Sequence, residues 1–445
     1  MIRIYNTLSG EKEPLPSPEE QKKIRLFVCG PTVYDYLHIG NARTYIFFDF
    51  FAKYLRSQGY EVNYLQNITD IDDKIIKRAA EEQKSPEAIA QFFTDAYFED
   101  MKALGVTAVT EYAPATKFIT QIVAQVERLI DKGFAYKIDE DGWYFDISKD
   151  EDYGKLSHRT VEQAEDGTSR IDEAVGKRNK GDFCLWKFSK ANEPTWTTSL
   201  GDGRPGWHIE DTAISEFYFG PQYEIHGGGV DLKFPHHEAE IAQQESASGL
   251  KPFVQTWIHT GALLADGKKM SKSLGNFVTI RDFLEKYPAE VLRLMIFKHH
   301  YRSPMDFNEV AAEEAMKNLS DLGRFVGKLK MIDPESNLGD ENILPEFNPL
   351  LDDDLNTPQA LADIFNFENA NAHEIERQLL SFGIALPNPE ISPKAQQLAA
   401  DRELCRASKQ FEQSDALRKE INALGYDIED TPRGPFLWPH PNQQN

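Results

Sequence analysis

One stretch near the start of the chain constrains its fold most. Ile24-Arg25-Leu26-Phe27-Val28-Cys29-Gly30 is a short, nearly continuous apolar run. Such a run reads as a strand buried on both faces, as in a parallel sheet covered by helices. Pro31 then turns the chain, and His38-Ile39-Gly40-Asn41 leads into a helical pattern over Thr44–Phe51. A strand–turn–helix entry aims free backbone N–H groups and a helix dipole at one point, where a phosphate can sit. Gly40 permits close approach there, and His38 can donate to a phosphate oxygen.

The rest of the chain extends this α/β reading to a Rossmann-like parallel sheet split by an insertion. Residues 1–115 alternate strand-like runs (Ile24–Gly30, Glu61–Ile68) with amphipathic helices such as Pro86–Leu104. Residues 116–200 change character: a helix-like Phe118–Lys132, short alternating runs around Tyr136 and Tyr144, then charged, Gly-bearing material. The strand–helix pattern resumes over 201–305, with Tyr223–His226 and Val254–His259 as strands. Gly227-Gly228-Gly229 offers close backbone approach to a ligand, though such runs are more often plain loops. Helical periodicity then dominates 306–390, a helical bundle, and most of a smaller region, 391–445.

A second signature, Lys269-Met270-Ser271-Lys272-Ser273, lies about 230 residues beyond His38. Lys269 and Lys272 are mobile ammonium groups able to stabilise charge developing on a leaving pyrophosphate. Together with His38–Asn41 they read as an adenylating site.

Composition narrows the setting. Three scattered cysteines do not make a disulfide framework, and no export signal opens the chain, so the cytoplasm is the expected location. No run of about 18 apolar residues suggests a membrane span. The net charge of −23 argues against indiscriminate nucleic-acid binding. Local basic patches remain at Lys177–Lys180, at Lys268-Lys269 with Lys272, and at Lys298–Arg302, each equally readable as ordinary surface charge.

The two signatures resemble the HIGH-type and KMSKS motifs of class I aminoacyl-tRNA synthetases. Phe27–Arg43, Asn67–Lys74, Asp182–Glu210, Ile225–Gln243 and Lys269–Asn276 resemble the cysteinyl-tRNA synthetases in particular. The likeness spans nearly the whole chain and is weakest after residue 390. It implies activation of L-cysteine by ATP, with Mg2+ on the phosphates, and transfer to the 3′ end of tRNA(Cys). A monomer with no membrane partner is expected. The resemblance puts His38, Gly40 and Lys272 on ATP and makes His38, Asn41, Lys269 and Lys272 catalytic. It places Thr69 and Asp231 at the substrate amino group and backbone, and Trp207 on the pocket wall. It reads 391–445 as the anticodon-binding region, where Phe436 and Trp438 either stack on bases or pack under the last hairpin.

The family holds a zinc ion (Zn2+) with two Cys, one His and one Glu. Motif for motif, Cys29, His236 and Glu240 match, and the fourth position is Asp211. His236 and Glu240 are four residues apart, which puts both on one helix face and suits chelation. A Cys/Asp/His/Glu shell keeps the total ligand charge but is harder, so preference for zinc over manganese-like ions should fall. Three readings stay open: one zinc with Asp211 as an atypical ligand, a metal-free or weakly metallated pocket with Asp211 on a backbone or His partner, or a changed substrate. His226 and His237 are candidates to support a ligand from behind. Two rival functions are a cysteine ligase for a small amine acceptor and a non-catalytic RNA-binding paralogue. The long helical segment disfavours the first, and the intact signatures disfavour the second.

Overall fold

The computed structural model describes residues 1–159, 176–270, 275–333, 346–365 and 371–440. The chain forms two compact units. One comprises Met1–Lys286, His299–Phe307 and Leu350–Thr357; the other comprises Tyr287–Lys298, Asn308–Pro349 and Pro358–Asn445.

The first unit is built on five parallel strands: β1 (Lys23–Val28), β2 (Glu61–Ile68), β3 (Glu111–Pro114), β4 (Tyr223–Gly229) and β5 (Val254–Thr260). Their order across the sheet is β3-β2-β1-β4-β5. This doubly wound order reverses between β1 and β4, and a crevice opens there at the carboxyl ends of the strands. β1 is buried through Ile24, Leu26, Phe27 and Val28, as an apolar run inside a covered sheet must be. The following helix, α1 (Ile39–Ser57), buries Tyr45, Ile46, Phe47, Phe48, Phe50 and Phe51, which accounts for its all-round apolar sequence.

Gly227-Gly228-Gly229 departs from its loop expectation. All three lie in β4, where Gly227 pairs with Val28 of β1 and all three pair with β5. Packing explains it. A Cβ on Gly227 would fall 2.1 Å from the Phe48 ring of α1, and one on Gly228 would fall 2.8 Å from the His237 ring. The absent side chains let α1 and the His237 turn close over the strand.

Between β3 and β4 in the chain lies an antiparallel sheet of Ala135–Ile138, Gly142–Phe145, Phe183–Phe188 and Gly203–Pro205. Its Phe145, Phe183 and Trp186 join the same apolar core as Phe27 and Trp257 of the parallel sheet. Beyond β5, Leu263–Ala265 pairs antiparallel with Lys268–Lys269 and parallel with Met305–Phe307.

The second unit is mainly helical: Ala289–Phe297, Glu309–Ile332, Ala372–Ser381, Pro393–Ala407 and Phe411–Ala423, closed by a hairpin of Tyr426–Thr431 and Gly434–Pro439. Trp438 is buried and stacks on Phe436, and both rings lie over Gly327 of the long helix. In this arrangement Trp438 packs under the hairpin rather than standing free. No described helix is long and apolar enough to cross a membrane.

Candidate active site

The cleft at the β1/β4 switch point has a volume of about 700 Å³. Cys29, His38, Gly40, Asn41, Thr69, Trp207, Asp211, Asp231, His236 and Lys269 all line it. These are sequence-predicted residues from six separated segments, brought to one opening. A second cavity of about 790 Å³ lies at the amino ends of the strands, against Arg25, Arg56 and Glu224. It contains none of the predicted residues, and the doubly wound fold places ligands at the opposite, carboxyl ends.

At one side of the cleft, His38 caps α1. Its Nδ1 accepts from the backbone N–H of Gly40 (3.0 Å) and Asn41 (3.3 Å), while Asn41 Oδ1 accepts from the His38 N–H (3.3 Å). This reciprocal cap is why the helix starts at Ile39, ahead of its apolar pattern. It also fixes the imidazole tautomer. Nδ1 is the acceptor, so a neutral ring carries its proton on Nε2 and can donate it. Burial, reinforced by Lys269, lowers the His38 pKa, with Asp231 pulling the other way. Gly40 matters here for a further reason: a Cβ would meet the His38 ring at 2.7 Å.

Lys269 is exposed at the end of its short strand. Lys272 falls outside the described residues. The third basic patch is largely committed elsewhere. Arg302 is 2.6 Å from buried Asp354, to which Tyr301 also donates, and His300 is 3.6 Å away. Within the first patch, Arg178 pairs with Asp146 and covers the Tyr136 ring.

At the cleft floor four donors converge. Cys29 follows β1, Asp211 lies in the first turn of α2 (Ile209–Phe219), and Glu240 lies in the first turn of α3 (Glu238–Ser248), just after His236. The ligating atoms of Cys29, Asp211, His236 and Glu240 all lie within 4.8 Å of one another, and all four residues are buried. His236 Nε2 is 3.0 Å from Asp211 Oδ2 and 3.1 Å from Glu240 Oε1. Trp207 stacks on the His236 ring at 4.3 Å between centroids, so it forms the wall of this floor. His208 Nδ1 is 2.7 Å from His236 Nδ1 and orients the ring from behind.

His226 and His237 sit deeper. Each aims Nε2 at Cys29 Sγ, at 3.3 and 3.1 Å. Their Nδ1 atoms are held by Tyr223 Oη (2.6 Å) and His259 Nε2 (2.8 Å). With Cys29 and Glu240 they make an overlapping group of potential ligands. Neither lines the cleft, whereas Asp211 and His236 do.

The electrostatics fit a cation. Burial, then the charges of Glu240 and Asp211, pushes the Cys29 thiol pKa well up. Burial and the nearby Asp211 push the Glu240 carboxyl well up too. Burial likewise keeps His208, His226 and His237 neutral. Two acids and a thiol packed around neutral imidazoles are costly as anions alone, and a divalent cation reverses that cost. Glu240 Oε2 is buried without a hydrogen-bond partner and lies 3.5 Å from His226 Nε2. The donor set of one thiolate, one imidazole and two carboxylates suits a metal of the zinc type.

The family model described as tRNA synthetases class I (C) catalytic domain matches residues 16–317. The chain is 41% identical to the Cysteine--tRNA ligase of Thermococcus gammatolerans, over 97% of this chain and 98% of that protein. It is 43% identical to that of Thermoplasma acidophilum, over 98% of this chain and all of that protein. The chain belongs to the cysteine–tRNA ligase family of class I synthetases. Among solved structures, a Mycobacterium tuberculosis methionyl-tRNA synthetase in complex with methionyl-adenylate covers 89% of this chain with a TM-score of 0.56 at 15% identity. At that identity the likeness shows the class I fold alone.

Three residues at the floor carry no role in the sequence reading: Asn67, His208 and Glu210. Asn67 Nδ2 donates to Asp211 Oδ1 (2.5 Å), and Thr69 Oγ1 donates to Glu210 Oε2 (2.9 Å). The available signal was the i, i+2 spacing of Asn67 and Thr69, which places both on one face of an extended segment.

Proposed function

We propose that this chain joins L-cysteine to tRNA(Cys) in two steps, activation by ATP and transfer to the terminal adenosine. The observation that carries the reading is a thiol-bearing floor and a capped helix start sharing one cleft, in a chain that matches cysteine–tRNA ligases over nearly its whole length.

Cys29, Asp211, His236 and Glu240 would hold the metal, zinc, at the pocket base. Bound there, zinc supplies a soft acceptor that distinguishes a substrate thiol from a hydroxyl. The remaining work belongs to the chain. Asp231 and Thr69 line the cleft beside the floor, where a carboxylate opposite the substrate α-ammonium fixes the carboxyl group for attack. The substrate carboxylate attacks the α-phosphorus of ATP, forming a C–O–P linkage and releasing pyrophosphate, with Mg2+ accompanying the phosphates. His38 donates Nε2–H to a phosphate oxygen, and its Nδ1 stays committed to the helix cap. Lys269 and Lys272 stabilise the charge that builds on pyrophosphate as the bond breaks. A ribose hydroxyl of the tRNA end then attacks the acyl carbon and expels AMP.

Residues 306–390 and 391–445 take the remainder of the tRNA in this reading. A small-acceptor ligase fits less well, since the chain aligns with 98% of the length of the Thermococcus tRNA ligase. ATP–pyrophosphate exchange tests the proposal: cysteine should support it and serine should not. Exchange driven equally by serine would overturn the assigned pocket.

A further inference from the structure

We propose that Asn67 is the positioning residue that converts Asp211 into a one-oxygen donor, so that a carboxylate can stand where the family places a thiolate. This rests on the metal reading of the cleft floor given above.

A carboxylate is an ambiguous replacement for a thiolate. It offers two oxygens and can chelate through both, which changes coordination number and favours harder ions. The structure removes that ambiguity. Asn67 Nδ2 donates to Asp211 Oδ1 at 2.5 Å and lies 3.4 Å from Thr69 Oγ1, which leaves Asp211 Oδ2 facing His236 Nε2 at 3.0 Å. Asn67 is itself held in place, because its Oδ1 accepts from the Gly30 backbone N–H at 2.5 Å. That contact depends on a bare Gly30: a Cβ there would fall 1.7 Å from the Asn67 carbonyl oxygen. Asn67 and Asp211 are both almost wholly buried. The backbone beside Cys29, the Asn67 amide and the Asp211 carboxylate thus form one connected support. It sets the Cys29 thiol and an Asp211 carboxylate oxygen within 4.8 Å of each other.

If Asn67 acts through the second oxygen of Asp211, its effect must vanish when residue 211 has only one ligand atom. A double-mutant cycle tests this with zinc affinity, read by competition against a chromophoric chelator on the full-length protein. Circular dichroism checks that each variant is folded. Asn67→Ala should weaken zinc binding about 10–100-fold, as loss of an outer partner of a ligand does. In the Asp211→Cys background the same change should cost less than about threefold, well under that range. Equal losses in both backgrounds would show a merely structural role and overturn the proposal. Absence of zinc binding by the unmodified protein would instead overturn the metal reading, and the proposal with it.

Discussion

Two roles of His38, one structural and one proposed, can be separated. Its Nδ1 closes the first turn of α1 by accepting from Gly40 and Asn41, while its Nε2–H is proposed to grip a phosphate oxygen. His38→Ala removes both. Loss of the cap should cost about 1 kcal/mol locally, or about fivefold faster amide exchange over the first turn of the helix. Loss of the donor should lower the rate of adenylate formation about 10²–10³-fold, equivalent to about 2.7–4 kcal/mol. His38→Asn divides the two effects. Asparagine is among the best helix caps, so hydrogen exchange of the peptide beginning at residue 38 should stay within about twofold of wild type. Its shorter side chain lacks the second nitrogen, so pyrophosphate exchange should remain as depressed as in His38→Ala. If activity instead follows helix protection across the two variants, His38 serves the fold and the phosphate role is wrong. Acid gives a parallel check. The folded imidazole has a lowered pKa, so its stabilising effect is complete above the ordinary value near 6.5. That effect is lost as pH falls through the lowered folded value, because protonation abolishes the Nδ1 acceptor.

Further outcomes follow from the same structure. Lys272→Ala should depress pyrophosphate exchange far more than ATP binding measured by equilibrium titration, and equal losses would contradict a transition-state role. Arg43 is buried and donates to the carbonyls of Gly261, Ala262, His300, Tyr301 and Ser303. Burial lowers its pKa to about 10, still cationic at neutral pH, and Arg43→Met should cost about 3–5 kcal/mol in urea denaturation by orphaning those acceptors. Zinc affinity should rise with pH, because the raised Cys29 and Glu240 groups must release protons to ligate. Chelation should accordingly lower the melting temperature. In the metal-free protein His259, its pKa lowered to about 3 by burial, should contribute stability that is full above about pH 6.5 and lost as the pH falls toward 3.

The fold was legible where local chemistry and tertiary demand agree. β1 reads from sequence because a strand buried on both faces must be apolar throughout. Gly227–Gly229 did not read as strand because glycine has little strand preference. Its place in β4 is dictated by Phe48 and His237, residues distant in the chain. The start of α1 was missed by five residues because its cap is an imidazole, outside the usual capping set. At the floor, the His236/Glu240 spacing was readable as a chelating pair on one turn. Asn67 was not, since its partner Asp211 is 144 residues away and meets it only after β2 and α2 pack together. Trp438 shows the reverse limit: an aromatic near the chain end reads equally as a binding platform or as core, and packing against the long helix decides it.

Cysteine activated in the β1/β4 cleft should end on tRNA. The most direct test incubates the full-length protein with ATP, Mg2+, labelled L-cysteine and tRNA(Cys), then assays acid-stable, base-labile label on the tRNA. ATP-dependent cysteine should appear on the 3′-terminal adenosine, and no label should appear with serine. Cysteine-dependent pyrophosphate exchange without any label on tRNA would contradict it and assign the activated cysteine to another acceptor.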